Sequence, residues 1–199
     1  MGMTTKTEII ELIDSLTADR EVVVTTGVGS HQQLVARHFT WDYPKRQLLS
    51  SAGHGTMGFG VPAAIGAALA NPDALVICFN GDGSMNFDIN HLPTIKEYGL
   101  NNITIIVLDD NSMGIVRQFE DLSGYEHVAT ADRPNPDFAA IAKASGLFGF
   151  DMRDYAVDRV SQWEILLNGG NAALVHCAVD DYAVWPILEG GKVEMTNES

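Results

Sequence analysis

Three short segments of this 199-residue chain carry residue types that suit anion and cation binding. They are Gly27-Val28-Gly29-Ser30-His31, Gly81-Asp82-Gly83-Ser84 and Asp109-Asp110-Asn111-Ser112-Met113-Gly114. Glycines let a backbone come close to a ligand and point its N–H groups at it. A helix that follows such a turn adds a dipole favourable to an anion. Asp82 and Asp110, on two of these turns, have the hard oxygen ligands that a divalent cation takes. Together the three segments describe a site for magnesium and a diphosphate. The bland alternative is that each glycine and aspartate only makes a turn.

The elements that must position these segments can be read from apolar patterning. Glu21–Thr26, Ala74–Phe79, Ile103–Leu108 and Ala172–Val179 are continuous apolar or β-branched runs, the mark of strands buried on both faces. The first three stop at the three segments above. Thr5-Lys6-Thr7-Glu8 has the form of a capping box, and Ile9, Leu12, Ile13 and Leu16 follow at helical spacing. Further helices are predicted over Val35–Trp41, Ala63–Asn71 (with Pro62 in or just before its first turn), Asn90–Tyr98, Asp137–Ser145 and Val160–Leu167. Alternating strands and helices predict an α/β fold: a doubly wound, mostly parallel sheet with helices on both faces. Ligands of such sheets bind beyond the carboxyl ends of the strands. We read one domain over residues 1–190 and a polar tail over 191–199.

Composition narrows the function classes. Hydrophobic residues make up 46% and charged residues 19%, a globular composition. Twelve Lys and Arg against 26 Asp and Glu give a net charge of −14, with no basic footprint for nucleic acid or an anionic membrane. Cys78 and Cys177 sit in apolar runs and form neither a disulfide framework nor a zinc pattern. The N-terminus has no signal-like apolar stretch, so the expected compartment is the cytoplasm.

Gly81-Asp82-Gly83, followed 28 residues after Asp82 by Asp110 at a strand end, resembles the thiamine diphosphate motif. The segments Val24–Gln32, Gly55–Ala67, Met113–Phe119 and Asn135–Phe138, and Val179-Asp180 with Trp185-Pro186, resemble the C-terminal domain of acetolactate synthase catalytic chains. The likeness covers roughly residues 20 to 190. It implies the thiamine diphosphate-binding fold, with thiamine diphosphate and Mg2+ as cofactors. It implies Asp82, Asp110 and the Ser112 carbonyl as metal ligands. Val28, Gly29, Ser30, His31, Gly81, Gly83, Ser84, Gly114 and Ile115 would surround the diphosphate. Gly55 and Met57 would hydrogen-bond the aminopyrimidine through their backbones, and the Met57 side chain would hold the cofactor's bent shape. The implied chemistry is decarboxylation of a 2-oxo acid, followed by release or carboligation.

Departures from the family pattern stand beside the likeness. Asp109-Asp110 replaces the usual Asn-Asn. His54 replaces an apolar residue, as a proton donor or acceptor near the pyrimidine or as a polar residue with a solvent or backbone partner. Phe119 replaces a tryptophan that helps acetolactate synthases select the acceptor. The glutamate that activates the aminopyrimidine belongs to another domain in this family. The chain therefore also resembles the β subunits of sulfopyruvate and phosphonopyruvate decarboxylases, which implies a hetero-oligomer with a pyrimidine-domain subunit. Its capped first helix is read as its own start. Two competing readings are an NAD-binding Rossmann-type protein and a non-catalytic regulatory or structural subunit. Gly58-Phe59-Gly60-Val61-Pro62-Ala63 fits the dinucleotide fingerprint, but that pattern requires a strand directly before it, and Ser50–Gly53 is not one.

Overall fold

Val22 and Val24 face one side of a sheet and Val23 the other, and each side is sealed by its own set of helices. The computed structural model describes residues 5–132, 134–154, 159–180, 188–189 and 192–193. Six strands form one sheet in the order β2-β1-β3-β4-β6-β5, every neighbouring pair parallel. The strands are β1 (Val22–Thr26), β2 (Arg46–Leu49), β3 (Leu75–Gly81), β4 (Ile103–Asp109), β5 (Phe148–Asp151) and β6 (Ala173–Ala178). β1, β3 and β4 are buried along their whole length, as their unbroken apolar sequences require.

On one face, α1 (Lys6–Leu16), α2 (Ser30–His38) and α8 (Arg159–Asn168) pack Ile10, Ile13, Val35 and Trp163 against Val22, Val24, Ile77 and Phe79. On the other face, α3 (Gly60–Ala70), α5 (Leu92–Glu97) and α7 (Phe138–Ala144) pack Val61, Ala64, Ile95 and Phe138 against Val23, Val76, Ile105 and Val107. Each large apolar side chain buried in these two layers contributes about 1.5–3 kcal/mol. The fold is the doubly wound α/β sheet that the alternating pattern predicts.

Local chemistry sets the ends of the elements. The Thr5 hydroxyl accepts from the Glu8 N–H, and the Glu8 carboxylate accepts from the Thr5 N–H, so the capping box is formed. Asp137 caps α7 by accepting from the Ala140 N–H. Cys78 and Cys177 are both buried, and neither is in a disulfide. Burial pushes the Cys78 thiol up to about 12, which keeps it protonated and inert.

Several elements differ from the sequence expectation. The helix expected over 35–41 begins at Ser30 and ends at His38, because its first turn is polar and faces the ligand side of the sheet. Trp41 lies beyond it, with its indole N–H donating to the Ala36 carbonyl. β2 and β5 are short edge strands without an apolar run and were not expected. α4 (Asp82–Asp88) starts inside the second segment and α6 (Gly114–Ser123) at the end of the third, where turns were expected. The helix expected over 90–98 is a 3-10 turn (Ile89–His91) followed by α5. Of the tail, Lys192–Val193 forms β8, antiparallel to β7 (Leu188–Glu189). Trp185 and Pro186 lie outside the described residues.

Candidate functional site

The chain leaves β1 in one direction for β2 and returns past β1 to β3, so the winding reverses between β1 and β3. A crevice opens at the carboxyl ends of strands where winding reverses. The loops after β1, β3 and β4 meet there, joined by Gly55 and Met57 from the connection after β2. Every residue assigned above to the cofactor or the metal lines this one pocket: Val28, Gly29, Ser30, His31, Gly55, Met57, Gly81, Gly83, Ser84, Gly114 and Ile115, with Asp82, Asp110 and Ser112. His54 is exposed and is not among its lining residues. The dinucleotide fingerprint does not follow a strand, because β2 ends at Leu49 and a 3-10 turn (Ala52–His54) intervenes before Gly58.

The first wall is the turn from β1 into α2. Gly29 precedes the helix at φ 155°, and a Cβ there would lie 2.8 Å from the His31 ring, so glycine is required. Ser30 and His31 are buried in the first turn of α2, where backbone N–H groups have no intrahelical acceptor. Gly81 passes under the same ring, where a Cβ would fall 2.9 Å from it. Burial holds the His31 imidazole down at about 3, with the Lys6 charge acting in the same direction, so it is neutral at physiological pH. Its Nε2 is buried and has no hydrogen-bond partner among the described residues.

The second wall is tied to the first. The Ser84 hydroxyl accepts from the Val28 N–H at 3.0 Å and donates to the Val28 carbonyl at 2.8 Å. Ser84 therefore clasps the two loops together, a role that its motif alone does not show. Behind it, the Asn80 amide donates to Asp88 at 2.7 Å, which fixes the base of α4.

Three aspartates divide into two settings. Asp82, at the start of α4, and Asp110, just past β4, both face the pocket. Asp109 points the other way, with Oδ2 2.7 Å from His176 Nε2 and Oδ1 accepting from the Asn111 N–H at 2.9 Å. The Asn135 amide bridges the two settings, donating to Asp82 Oδ2 at 2.7 Å and to Asp109 Oδ1 at 2.9 Å. Asp110 Oδ1 accepts from both the N–H and the hydroxyl of Ser112, at 2.9 and 2.8 Å. Burial pushes the Asp82 carboxyl up to about 6; the Asn135 hydrogen bond opposes this, and the charges of Asp109 and Asp110 add to it. Asp109, although buried, is held below the usual carboxylate range by His176, Asn111 and Asn135.

The third wall is apolar. A Cβ on Gly83 would lie 2.9 Å from Met113 Sδ and 3.6 Å from Met57 Cε, so the two methionines converge over the turn that starts α4. Lys6, Asn135 and His176 received no role from the sequence, and each is part of this network. Asn135 stands in a segment that carries the family likeness, which is the one signal that marked it.

The donor set fits a divalent cation with a diphosphate. Asp82, Asp110 and Ser112 line the pocket beside helix-start N–H groups, and the buried His31 Nε2 lacks a partner among the described residues. Among the described residues, no three His, Cys, Asp or Glu side chains group to hold a metal by themselves. A cation here would complete its shell with backbone, phosphate and water oxygens.

Residues 27–177 match the family model described as "Thiamine pyrophosphate enzyme, C-terminal TPP binding domain". The chain belongs to this family. The matched residues include every lining residue of the pocket except Lys6. Curated relatives agree. The mitochondrial acetolactate synthase catalytic subunit of Aspergillus candidus is 38% identical over 194 residues, 96% of this chain and 27% of that protein. The acetolactate synthase isozyme 1 large subunit of Escherichia coli is 39% identical over 193 residues, 94% of this chain and 34% of that protein. The chain thus spans about a quarter to a third of the length of these curated relatives. In fold it is similar to the thiamine diphosphate-dependent 4-hydroxybenzoylformate decarboxylase of Rhodococcus jostii, with a TM-score of 0.77 at 24% identity over 90% of this chain and 33% of that one.

Proposed function

We propose that this chain supplies the diphosphate-and-magnesium half of the active site of a thiamine diphosphate-dependent enzyme acting on a 2-oxo acid. The enzyme is a decarboxylase or an acetolactate synthase-like carboligase, completed by a pyrimidine-binding subunit and working in the cytoplasm. The observation that carries this reading is the convergence of Asp82, Asp110 and Ser112 on the same pocket as the first turn of α2.

Each residue has a task in this reading. Asp82 and Asp110 ligate magnesium through carboxylate oxygens, with the Ser112 carbonyl as a further ligand. The N–H groups of Ser30 and His31 face the diphosphate. Asn135 holds Asp82 in position through its hydrogen bond. Met57 and Met113 provide an apolar, water-excluding wall beside Gly83. Thiamine diphosphate, when bound, supplies the electron sink for breaking the bond between the carboxylate and the carbonyl carbon of a 2-oxo acid.

Two features support a second subunit. Among the described residues the carboxylates lining the pocket are Asp82 and Asp110, both assigned to the metal, which leaves the activating glutamate to another polypeptide segment. Val116, Phe119 and Leu122 on α6 are 44%, 51% and 49% exposed, an apolar surface beside the pocket that suits a partner. The test is an assay of carbon dioxide release from a panel of 2-oxo acids with thiamine diphosphate and Mg2+. Mixing with a pyrimidine-binding subunit is expected to give turnover that neither chain gives separately. Turnover by this chain alone, in a preparation free of other proteins, would overturn the two-subunit reading.

A further inference from the structure

Lys6 enters the pocket from outside the strand-end loops. It is the first residue of α1 and is 1% exposed. Its Nζ lies 2.5 Å from Asp110 Oδ2 and 3.0 Å from Ser30 Oγ, and it lines the pocket with both. An ammonium group taken out of water at this depth needs strong partners, and it has them in the two residues that flank the cation and anion positions.

Charge balance gives this placement a purpose. Two aspartates cancel the charge of one divalent cation. The diphosphate's own negative charge is then left to the N–H groups of the long helices α2 and α6 and to any cationic side chain present. His31 is neutral, so the cation among the described lining residues is Lys6. Ser30, which accepts from Lys6, stands in the helix turn that faces the anion. We infer that Lys6 is a diphosphate-binding residue: its ammonium holds Asp110 and Ser30 in place in the unliganded chain and donates to a diphosphate oxygen once a metal occupies Asp110. The inference rests on the proposed function of the pocket and deepens it, since it makes α1 part of the binding machinery.

Titration calorimetry of the full chain with Mg2+ and inorganic pyrophosphate tests it, with Mg2+ and thiamine diphosphate in parallel. Lys6→Met keeps the aliphatic length and removes the charge. It is expected to weaken both ligands about ten- to a hundredfold, the loss of one charge-assisted hydrogen bond, while Lys6→Arg retains most of the affinity. The double variant Lys6→Met/Asp110→Asn guards against misfolding, because it leaves neither charge buried without its partner. Compared with Asp110→Asn alone, it is expected to show the same further loss. Unchanged or tighter pyrophosphate binding in Lys6→Met, or no further loss in the double variant, would overturn the role of Lys6 while leaving the pocket's function intact. No binding of either ligand by the unmodified chain would overturn the pocket's function and this inference with it.

Discussion

The Ser84 hydroxyl and the Val28 backbone exchange two hydrogen bonds across 56 residues of sequence, at 3.0 and 2.8 Å. This clasp holds the turn after β1 against the start of α4, and so sets the distance between the first turn of α2 and Asp82. Ser84→Ala is expected to leave the Val28 N–H and carbonyl without this partner in a part-buried place. The expected loss is about 1–3 kcal/mol of stability, read from urea denaturation. Thiamine diphosphate affinity should fall with it. A variant as stable as the parent would show that the clasp does not hold the loops.

Asp82 and Asp110 should separate in their effects, although both line the pocket and are proposed to hold the metal. Asp82→Ala is expected to abolish Mg2+-dependent binding of thiamine diphosphate in calorimetry, with no large loss of stability, because burial already disfavours its charged form. Asp110→Asn keeps an oxygen ligand and restores the residue usual in the family. From sequence this change should be mild. The ion pair with buried Lys6 alters that expectation. Removing one member of a buried pair costs about 3–5 kcal/mol. Here the amide oxygen and Ser30 still accept from the ammonium, so the loss of metal-free stability should fall below that range, yet exceed that of Asp82→Ala.

The raised Asp82 carboxyl predicts a pH window. Its value of about 6 in the folded chain lies above the ordinary 3.8. The group's contribution to stability is full below the ordinary value and is lost as pH rises through about 6. Metal ligation needs the charged form, so Mg2+-dependent cofactor binding should strengthen over the same rise. Asn135→Ala removes a donor that favours the charge and should move the binding midpoint to higher pH. A pH-independent affinity between 5 and 8 would show that Asp82 is not the titrating ligand.

Met57 should act by shape. Met57→Leu conserves apolar volume and is expected to keep most activity of the proposed two-subunit enzyme, whereas Met57→Ala opens a gap beside Met113 and should lose much of it. Equal activity in all three proteins would remove Met57 from the mechanism.

Lys6 and His176 show where sequence reading stops. The glycine, aspartate and serine content of the three strand ends made the pocket legible, because β-branched runs and the turns that end them are written in consecutive residues. The cores on both faces were legible for the same reason: alternating side chains such as Val22, Val23 and Val24 can only divide between two layers. The start of α2 at Ser30 was not, since its first turn is polar and answers to the ligand side of the sheet rather than to a core. β2 is an edge strand of four residues whose Arg46 is buried by pairing with Asp14, a partner on α1. Tertiary structure alone decided that Asp109 turns to His176 while Asp110 turns to Lys6, 104 residues away in sequence. The physical reason is common to the two aspartates: a buried carboxylate needs a donor within hydrogen-bond reach, and chain folding, not local spacing, determines which one lies there.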